Sequence, residues 1–194
     1  MWKSLNNQPC NIFHVYNPAI HHRRSIRLKG YDYSQAGMYF ITICCQDMLC
    51  RFGKIDNGGI ILNDFGAIAF EEWRKLPERY PNVVLDVFQI MPNHIHGIIA
   101  LENISWAGLA PAQIEPTAAQ FNPAPTIGNI VGAYKSLVAN GCLRICKSRN
   151  EYMGKLWQRN YWEHIISNNI AYQRIADYII SNPANWEKDK FYVE

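Results

Sequence analysis

The sequence has no long apolar run and little charge. Of its 194 residues, 48% are hydrophobic and 18% are charged, and the net charge is +3. No stretch approaches the roughly 20 apolar residues that a transmembrane helix requires. The first residues lack the apolar core of a signal peptide. We therefore expect one compact, cytoplasmic domain that does not enter a membrane.

Metal-type cysteine spacing is also missing. The six cysteines include no CxxC pair and no zinc-ribbon pattern. Cys44 and Cys45 are adjacent on a predicted strand, so their side chains leave opposite faces and are poor disulfide partners. We expect reduced thiols that serve mainly as small core residues.

Positive charge is concentrated in two segments. Residues 21–29 carry four fixed positive charges with no acid before Asp32, and residues 135–159 carry six against the single Glu151. A polyanion that contacts both segments would gain affinity through counterion release. The alternative is a solvated basic surface on an ordinary protein.

Hydrophobic periodicity predicts an alternation of strands and helices. The predicted strands are 38–44, 83–90 and 95–101, with a strand or an extended docking segment in 154–166, and the predicted helices are 64–79, 127–144 and 169–181. A small hairpin is predicted within 52–61. Without this hairpin and the last helix, the order is the βαββαβ pattern of a ferredoxin-like α+β sandwich with an antiparallel sheet.

The rest of the chain divides around this domain. Residues 1–22 show no periodicity and form an N-terminal arm, and the domain spans 23–186. Residues 102–125 are rich in Pro and Ala and predict a long loop, a kind of segment that is often functional. Residues 187–194 form a C-terminal tail.

Two histidines on one strand are the first candidates for chemistry. Met91-Pro92-Asn93 predicts a tight turn, and His94 and His96 follow it two residues apart. Because strand side chains alternate, both imidazoles leave the same face. Two imidazoles on a rigid strand form half of a metal site. The alternative is a pair of half-buried strand histidines.

The last helix offers two further candidates. Tyr178 and Asn182 are four residues apart at the edge of the predicted apolar stripe of Tyr172, Ile175, Ala176, Ile179 and Ile180. A tyrosine can attack a phosphodiester and form a covalent enzyme–nucleic acid intermediate. An amide oxygen is a ligand suited to Mg²⁺ or Mn²⁺. A core or edge position is the alternative for Tyr178.

Three motifs in order resemble a known family. His94-Ile95-His96 resembles the "HUH" motif of single-strand DNA nucleases. Together with Leu156–Ile166 and Asp177–Pro183, it is similar to the REP-associated tyrosine transposases. These are domesticated relatives of the single-tyrosine transposases of small bacterial insertion sequences. Ser25–Tyr33 and the following strand also resemble that group, and the resemblance covers about residues 23–186.

The resemblance implies a metal-dependent nuclease. It implies a ferredoxin-like domain in which His94, His96 and Asn182 bind Mg²⁺ or Mn²⁺ and Tyr178 is the nucleophile. Single-stranded DNA next to a hairpin would be cut and rejoined through a 5′-phosphotyrosine. Two alternatives remain, a replication initiator or relaxase-like nickase, and a non-catalytic DNA-hairpin-binding protein. The sequence leaves monomer and homodimer both open.

Basic and aromatic residues supply candidate DNA contacts. The candidates for phosphate contact are Arg23, Arg24, Arg27, Lys29, Lys135 and Arg159. Tyr161, Trp157 and Trp162 are candidates for stacking on unpaired bases, although both tryptophans are equally suited to the core. His164 is either a partner of the site or an ordinary strand histidine.

Overall fold

A computed structural model describes residues 30–103 and 124–193. The strands are β1 Gly37–Cys44, β2 Gly53–Asp56, β3 Gly59–Leu62, β4 Val83–Ile90, β5 His94–Leu101 and β6 Trp162–Ile166. The helices are α1 Asp64–Arg74, α2 Leu76–Arg79, α3 Ile127–Ser148 and α4 Asn169–Ser181. Short 3₁₀ segments occupy Gln46–Met48 and Pro183–Lys188.

Four strands form the main sheet in the order β4-β5-β1-β6, and every neighbouring pair is antiparallel. Strands β2 and β3 form a separate hairpin. With that hairpin set aside, the strand order and the helix positions are those of the predicted ferredoxin-like sandwich. The predicted α+β fold is confirmed.

Residues that favour the ends of helices lie at the observed ends of α1 and α3. Asn63 caps α1 by accepting from the backbone N–H groups of Phe65 and Gly66. Thr126 caps α3 as part of a capping box with Asn129. Helix α1 ends before the short helix that contains Pro77, as expected from the proline. Helix α3 runs to Ser148, one turn beyond the predicted end.

The two faces of the sheet contact different helices. Tyr39, Ile41 and Ile43 of β1 point toward α1 and α3 and belong to the larger core. On the opposite face, Ile98 of β5 packs against Ile179 and other apolar residues of α4. Helix α4 therefore covers the face that carries the even-numbered residues of β5, including His94 and His96.

One predicted core position is wrong. Ile180 was expected in the buried stripe of α4, but its side chain is 64% exposed. Ile175, Ala176 and Ile179 make the contact with the sheet instead. A single helix lying on a sheet needs only a narrow apolar stripe, and Ile180 is turned about 100° from Ile179, away from the strands.

The described cysteines are unpaired: Cys44, Cys45, Cys142 and Cys146 are buried and Cys50 is exposed. Cys10 lies outside the described residues. Across the two described ranges, no helix combines the length and the apolar character needed to cross a bilayer.

Gly97 lies where β5 passes under the indole of Trp73. A Cβ at Gly97 would lie 2.3 Å from Cζ2 of Trp73. We expect Gly97→Ala to lower the free energy of unfolding by about 1–3 kcal/mol, because the fully buried indole must shift. Urea denaturation measures the effect.

Gly132→Ala is the matched control. Gly132 is exposed within α3, and a Cβ there meets no atom within 4 Å. Because alanine favours helix over glycine, this change should raise the free energy of unfolding by up to about 1 kcal/mol. Equal and small effects of the two substitutions would contradict the close packing of Gly97 against Trp73.

Candidate functional site

The two histidines lie side by side under α4. β5 places both rings on the same face, with ring centroids 4.4 Å apart, while Ile95 points into the larger core. The exposed fractions of His94 and His96 are 0% and 1%. Burial lowers the pKa of both imidazoles below its usual value, and His94 lowers that of His96 further. Both rings are therefore neutral at neutral pH, the form that binds metals.

Asn93 fixes the orientation of His94. Its amide nitrogen donates to the carbonyl oxygens of Met48 and Phe191, at 3.1 and 2.7 Å. Its amide oxygen therefore faces Nδ1 of His94, 2.8 Å away, and accepts the Nδ1–H. Nε2 of His94 then carries a free lone pair, and this buried atom has no hydrogen-bond partner among the described residues.

Thr42 plays the corresponding part for His96. Its hydroxyl oxygen lies 2.8 Å from Nδ1 of His96, and Nε2 of the same ring lies 3.1 Å from the Tyr178 hydroxyl. A threonine hydroxyl can donate or accept, so it suits either tautomer of the imidazole. The position of the ring proton can change without leaving Nδ1 unpaired.

Tyr178 and Asn182 reach the same pocket from α4. The Tyr178 hydroxyl donates to Oδ2 of Asp189 at 3.1 Å, and the amide nitrogen of Asn182 donates to the same oxygen. Burial raises the pKa of Tyr178, and the negative charge of Asp189 raises it further. The amide oxygen of Asn182 is buried and lacks a hydrogen-bond partner among the described residues. The structure thus brings Tyr178, Asn182 and the two histidines together.

Asp189 is the residue that the sequence analysis missed. Its second carboxylate oxygen accepts from the backbone N–H of Phe191 at 2.7 Å, which holds the side chain toward the site. One possible ligand atom from each of His94, His96 and Asp189 lies within 4.8 Å of the others. In the sequence Asp189 stands in the assigned tail, and no motif distinguishes it from other acids. Its one signal is its position seven residues beyond Asn182.

Aromatic rings cover the histidines on the solvent side. The ring of Phe191 lies 4.6 Å from that of His94 and 5.9 Å from that of His96, between centroids. Trp186 lies 6.0 Å from His94. The segment after α4 therefore both contributes a carboxylate to the site and closes it.

The predicted DNA contacts lie in different places. Arg23, Arg24, Arg27 and Lys29 fall outside the described residues. The Lys135 ammonium donates to the carbonyl oxygens of Gln158 and Arg159, at 2.8 and 3.1 Å, while the Arg159 side chain is exposed. Tyr161 donates to Glu163.

The aromatic candidates differ in burial. Trp157 packs against Phe52 and Tyr134 and donates its indole N–H to the carbonyl oxygen of Lys135, as a core residue does. Trp162 is 54% exposed on β6, and His164 is exposed on the same strand.

Comparison with known proteins places this site in a family context. No family model matches the chain. An uncharacterized Haemophilus influenzae protein is 44% identical over 181 residues, which cover 92% of this chain and 98% of that protein. The chain belongs to the same family as that protein.

Two further comparisons match this chain with a group of transposases. A candidate REP-associated tyrosine transposase of H. influenzae is 26% identical over 154 residues, covering 78% of this chain and 73% of that protein. A solved REP-associated tyrosine transposase, bound to a REP hairpin, matches with a TM-score of 0.50. The chain is related to the REP-associated tyrosine transposases.

The similarity to REP-associated tyrosine transposases extends over most of the chain. The solved transposase matches 84% of this chain and 76% of its own, at 18% identity, and this similarity supports the shared fold. The resemblance inferred from the three sequence motifs is confirmed. The roles of individual residues remain predictions that rest on the geometry above.

Proposed function

We propose that the protein is a metal-dependent single-strand DNA endonuclease and transposase that cuts and rejoins DNA next to hairpins. The observation that carries this proposal is the position of Tyr178, whose hydroxyl oxygen lies 3.1 Å from Nε2 of His96 in a pocket shared with His94 and Asp189. A nucleophile beside a set of metal-binding side chains is an arrangement that supports phosphodiester transesterification.

The side chains present fit a divalent cation. Within the part of the chain that the structure describes, Nε2 of His94 and the amide oxygen of Asn182 have no hydrogen-bond partner, and Asp189 presents a carboxylate close to both histidines. Nitrogen and hard oxygen ligands together suit Mn²⁺ and Mg²⁺. We assign His94, His96 and Asp189 as ligands, with Asn182 as the fourth. When bound, such a cation polarises the scissile phosphate and stabilises the charge that develops on it.

Tyr178 then forms the covalent intermediate. Its hydroxyl proton leaves by way of Oδ2 of Asp189, the carboxylate oxygen to which it already donates, and passes on to water, so that Asp189 remains ionised. The phenolate oxygen bonds to phosphorus as the bond from phosphorus to the 3′ oxygen breaks. The products are a 5′-phosphotyrosine and a strand that ends in a 3′-hydroxyl after it takes up a proton. Attack by a 3′-hydroxyl on the phosphotyrosine reverses these steps, so rejoining needs no ATP.

We infer that the substrate is single-stranded DNA beside a DNA hairpin. The related solved transposase is bound to a REP hairpin. The proposed DNA contacts are Arg159 and Tyr161 on the described surface, together with Arg23, Arg24, Arg27, Lys29 and Lys135. We propose a cytoplasmic location, where the DNA substrate lies. We also propose that each monomer holds a complete site, because Tyr178 lies beside the histidine pair of its own chain.

A denaturing gel tests the proposed reaction. A labelled DNA hairpin with single-stranded flanks is incubated with the protein and Mn²⁺ or Mg²⁺. We expect a protein-linked label that forms with the cation and is absent with a chelator. Hairpin binding without any adduct, across both cations and a range of flanking sequences, would contradict the nuclease assignment.

The closure of the site favours a second candidate, a hairpin-binding protein that does not cut. Both histidines are at most 1% exposed, and the Phe191 carbonyl is held by Asn93. A phosphate reaches the histidines only if the ring of Phe191 moves aside. Tight hairpin binding without an adduct in the gel supports this alternative.

Thr42→Val tests how His96 is oriented. For Nε2 of His96 to bind a cation, the ring proton must lie on Nδ1, where the Thr42 oxygen accepts it. Valine has the same shape without the hydroxyl. We expect the affinity for Mn²⁺, measured by calorimetry, to fall about 10–100-fold.

Thr42→Ser keeps the hydroxyl and is the matched control. It should retain most of the Mn²⁺ affinity of the unmodified protein. If the valine and serine variants bind Mn²⁺ equally well, Thr42 does not orient His96.

A further inference from the structure

A cleft of about 610 Å³ lies between the β2–β3 hairpin and the segment that follows α4. Lys54 and Asn57 line it from the hairpin, and Trp186, Lys188 and Tyr192 line it from the other side. Its volume lies within the range of about 300–1,000 Å³ that is usual for sites of small molecules. The cleft is large enough to hold a short segment of an extended polymer.

The cleft borders the site of the histidines. Pro92, which lines it, precedes Asn93 and His94 in the turn between β4 and β5. Pro183, which also lines it, follows Asn182. Trp186 is shared between the two places: its ring lies 6.0 Å from that of His94 and 5.4 Å from that of Tyr192, between centroids. A strand that extends from the histidines past Trp186 would therefore reach the cleft.

The chemistry of the lining suits single-stranded nucleic acid. Lys54 and Lys188 are exposed, and Glu187 is the one acidic residue among the described residues that line the cleft. Tyr192 is 37% exposed, next to the more deeply buried Trp186. Lysines beside exposed aromatic rings bind single strands, because phosphates pair with the ammonium groups and unpaired bases stack on the rings.

We propose that this cleft holds the single-stranded DNA that runs on from the scissile phosphate. Lys54 and Lys188 contact its phosphates, and Tyr192 stacks on an unpaired base. The proposal rests on the nuclease function proposed above and adds the place where the flank of the hairpin is bound. The hairpin stem, whose bases are paired, binds elsewhere on the protein.

The test compares two labelled DNA probes by fluorescence anisotropy without added metal. One is a hairpin alone, and the other is the same hairpin with a single-stranded extension. We expect the protein to prefer the extended probe and the variant Lys54→Ala/Lys188→Ala to lose that preference. For the extended probe, the slope of log affinity against log salt should fall in magnitude by about 1.4, or about 0.7 for each lost phosphate contact.

Lys147→Ala/Lys155→Ala is the control matched in charge. Both lysines are exposed, and neither lines the cleft. This variant should keep the preference for the extended probe. Equal losses of affinity for both probes in Lys54→Ala/Lys188→Ala, or an unchanged preference, would overturn the proposal.

Cys50 provides a second measurement without changing the lysines. It lines the cleft and is exposed. The measurement uses the Cys10→Ser variant and follows the reaction of Cys50 with a maleimide by mass spectrometry. The extended probe should protect Cys50 from this reaction, and the hairpin alone should not. Protection by neither probe contradicts occupation of the cleft.

These outcomes are separable from the failure of the proposed function. If Lys54→Ala/Lys188→Ala loses the preference for the extended probe but the unmodified protein forms no adduct, the nuclease assignment is wrong and the cleft proposal stands. If the unmodified protein forms a metal-dependent adduct but the variant keeps its preference, the nuclease assignment stands and the cleft proposal is wrong.

Discussion

We expect Tyr178→Phe to abolish the proposed covalent protein–DNA adduct and to leave hairpin binding unchanged. The substitution removes only the hydroxyl oxygen, the atom that we propose to bond to phosphorus. The phenylalanine ring can keep the contacts of the tyrosine ring with Phe40 and His96, whose centroids lie 6.4 and 5.1 Å away. Asp189 keeps its hydrogen bond from Asn182. The denaturing gel measures the adduct, and anisotropy measures hairpin affinity.

Tyr172→Phe is the matched control for this prediction. Tyr172 lies on the same helix, and its hydroxyl also donates to a carboxylate, that of Asp86, at 3.2 Å. Among the described residues, the rings that contact His94 and His96 do not include Tyr172, so Tyr172→Phe should form the adduct normally. An adduct that persists in Tyr178→Phe would assign the nucleophile to another residue.

His94→Ala should lower the affinity for Mn²⁺ by more than about 100-fold, because loss of a ligand exceeds the roughly 10–100-fold effect of losing an outer partner. Nε2 of His94 is buried and has no hydrogen-bond partner in residues 30–103 and 124–193, and a cation is the partner we assign to it. Calorimetry with Mn²⁺ measures the affinity independently of DNA cleavage. His164→Ala, which removes an exposed histidine of β6, should leave the affinity unchanged.

Asp189→Asn separates loss of the site from loss of the fold. His94 is fully buried, and its removal also leaves the Asn93 oxygen without its partner, so His94→Ala alone could unfold the protein. Asp189 lies after the last helix and outside the sheet sandwich. We expect Asp189→Asn to weaken Mn²⁺ binding without changing the urea midpoint. Normal Mn²⁺ affinity in both variants would contradict the assigned ligands.

Local sequence patterns predicted most of the fold. Several features depend only on neighbouring residues, so the sequence itself indicates them. They are the strand patterns of β1 and β5, the caps at Asn63 and Thr126, and the break at Pro77. The pairing of His94 with His96 follows from the two-residue period of a strand. Their position under Tyr178 followed from the order of the motifs together with the packing of an apolar helix stripe on a sheet.

The missed features depend on contacts between residues distant in sequence. Asp189 reaches the histidines because the 3₁₀ segment Pro183–Lys188 turns the chain back across them, and no periodicity predicts that path. The local basic charge of Lys135 indicated a phosphate contact but could not show that two backbone carbonyls accept from its ammonium. The cleft likewise forms only when the β2–β3 hairpin meets the residues after α4.

The placement of Asp189 and Phe191 beyond the sheet sandwich has an evolutionary consequence. A nonsense codon directly after Trp186 would spare every strand and α-helix and would keep both histidines, Tyr178 and Asn182. It would nevertheless delete the carboxylate and the ring that complete and close the site. If the proposed function holds, one base change in the codon of Glu187 would turn a nuclease into a protein that binds DNA hairpins without cutting them, and such a protein would compete with the intact enzyme for the same sites.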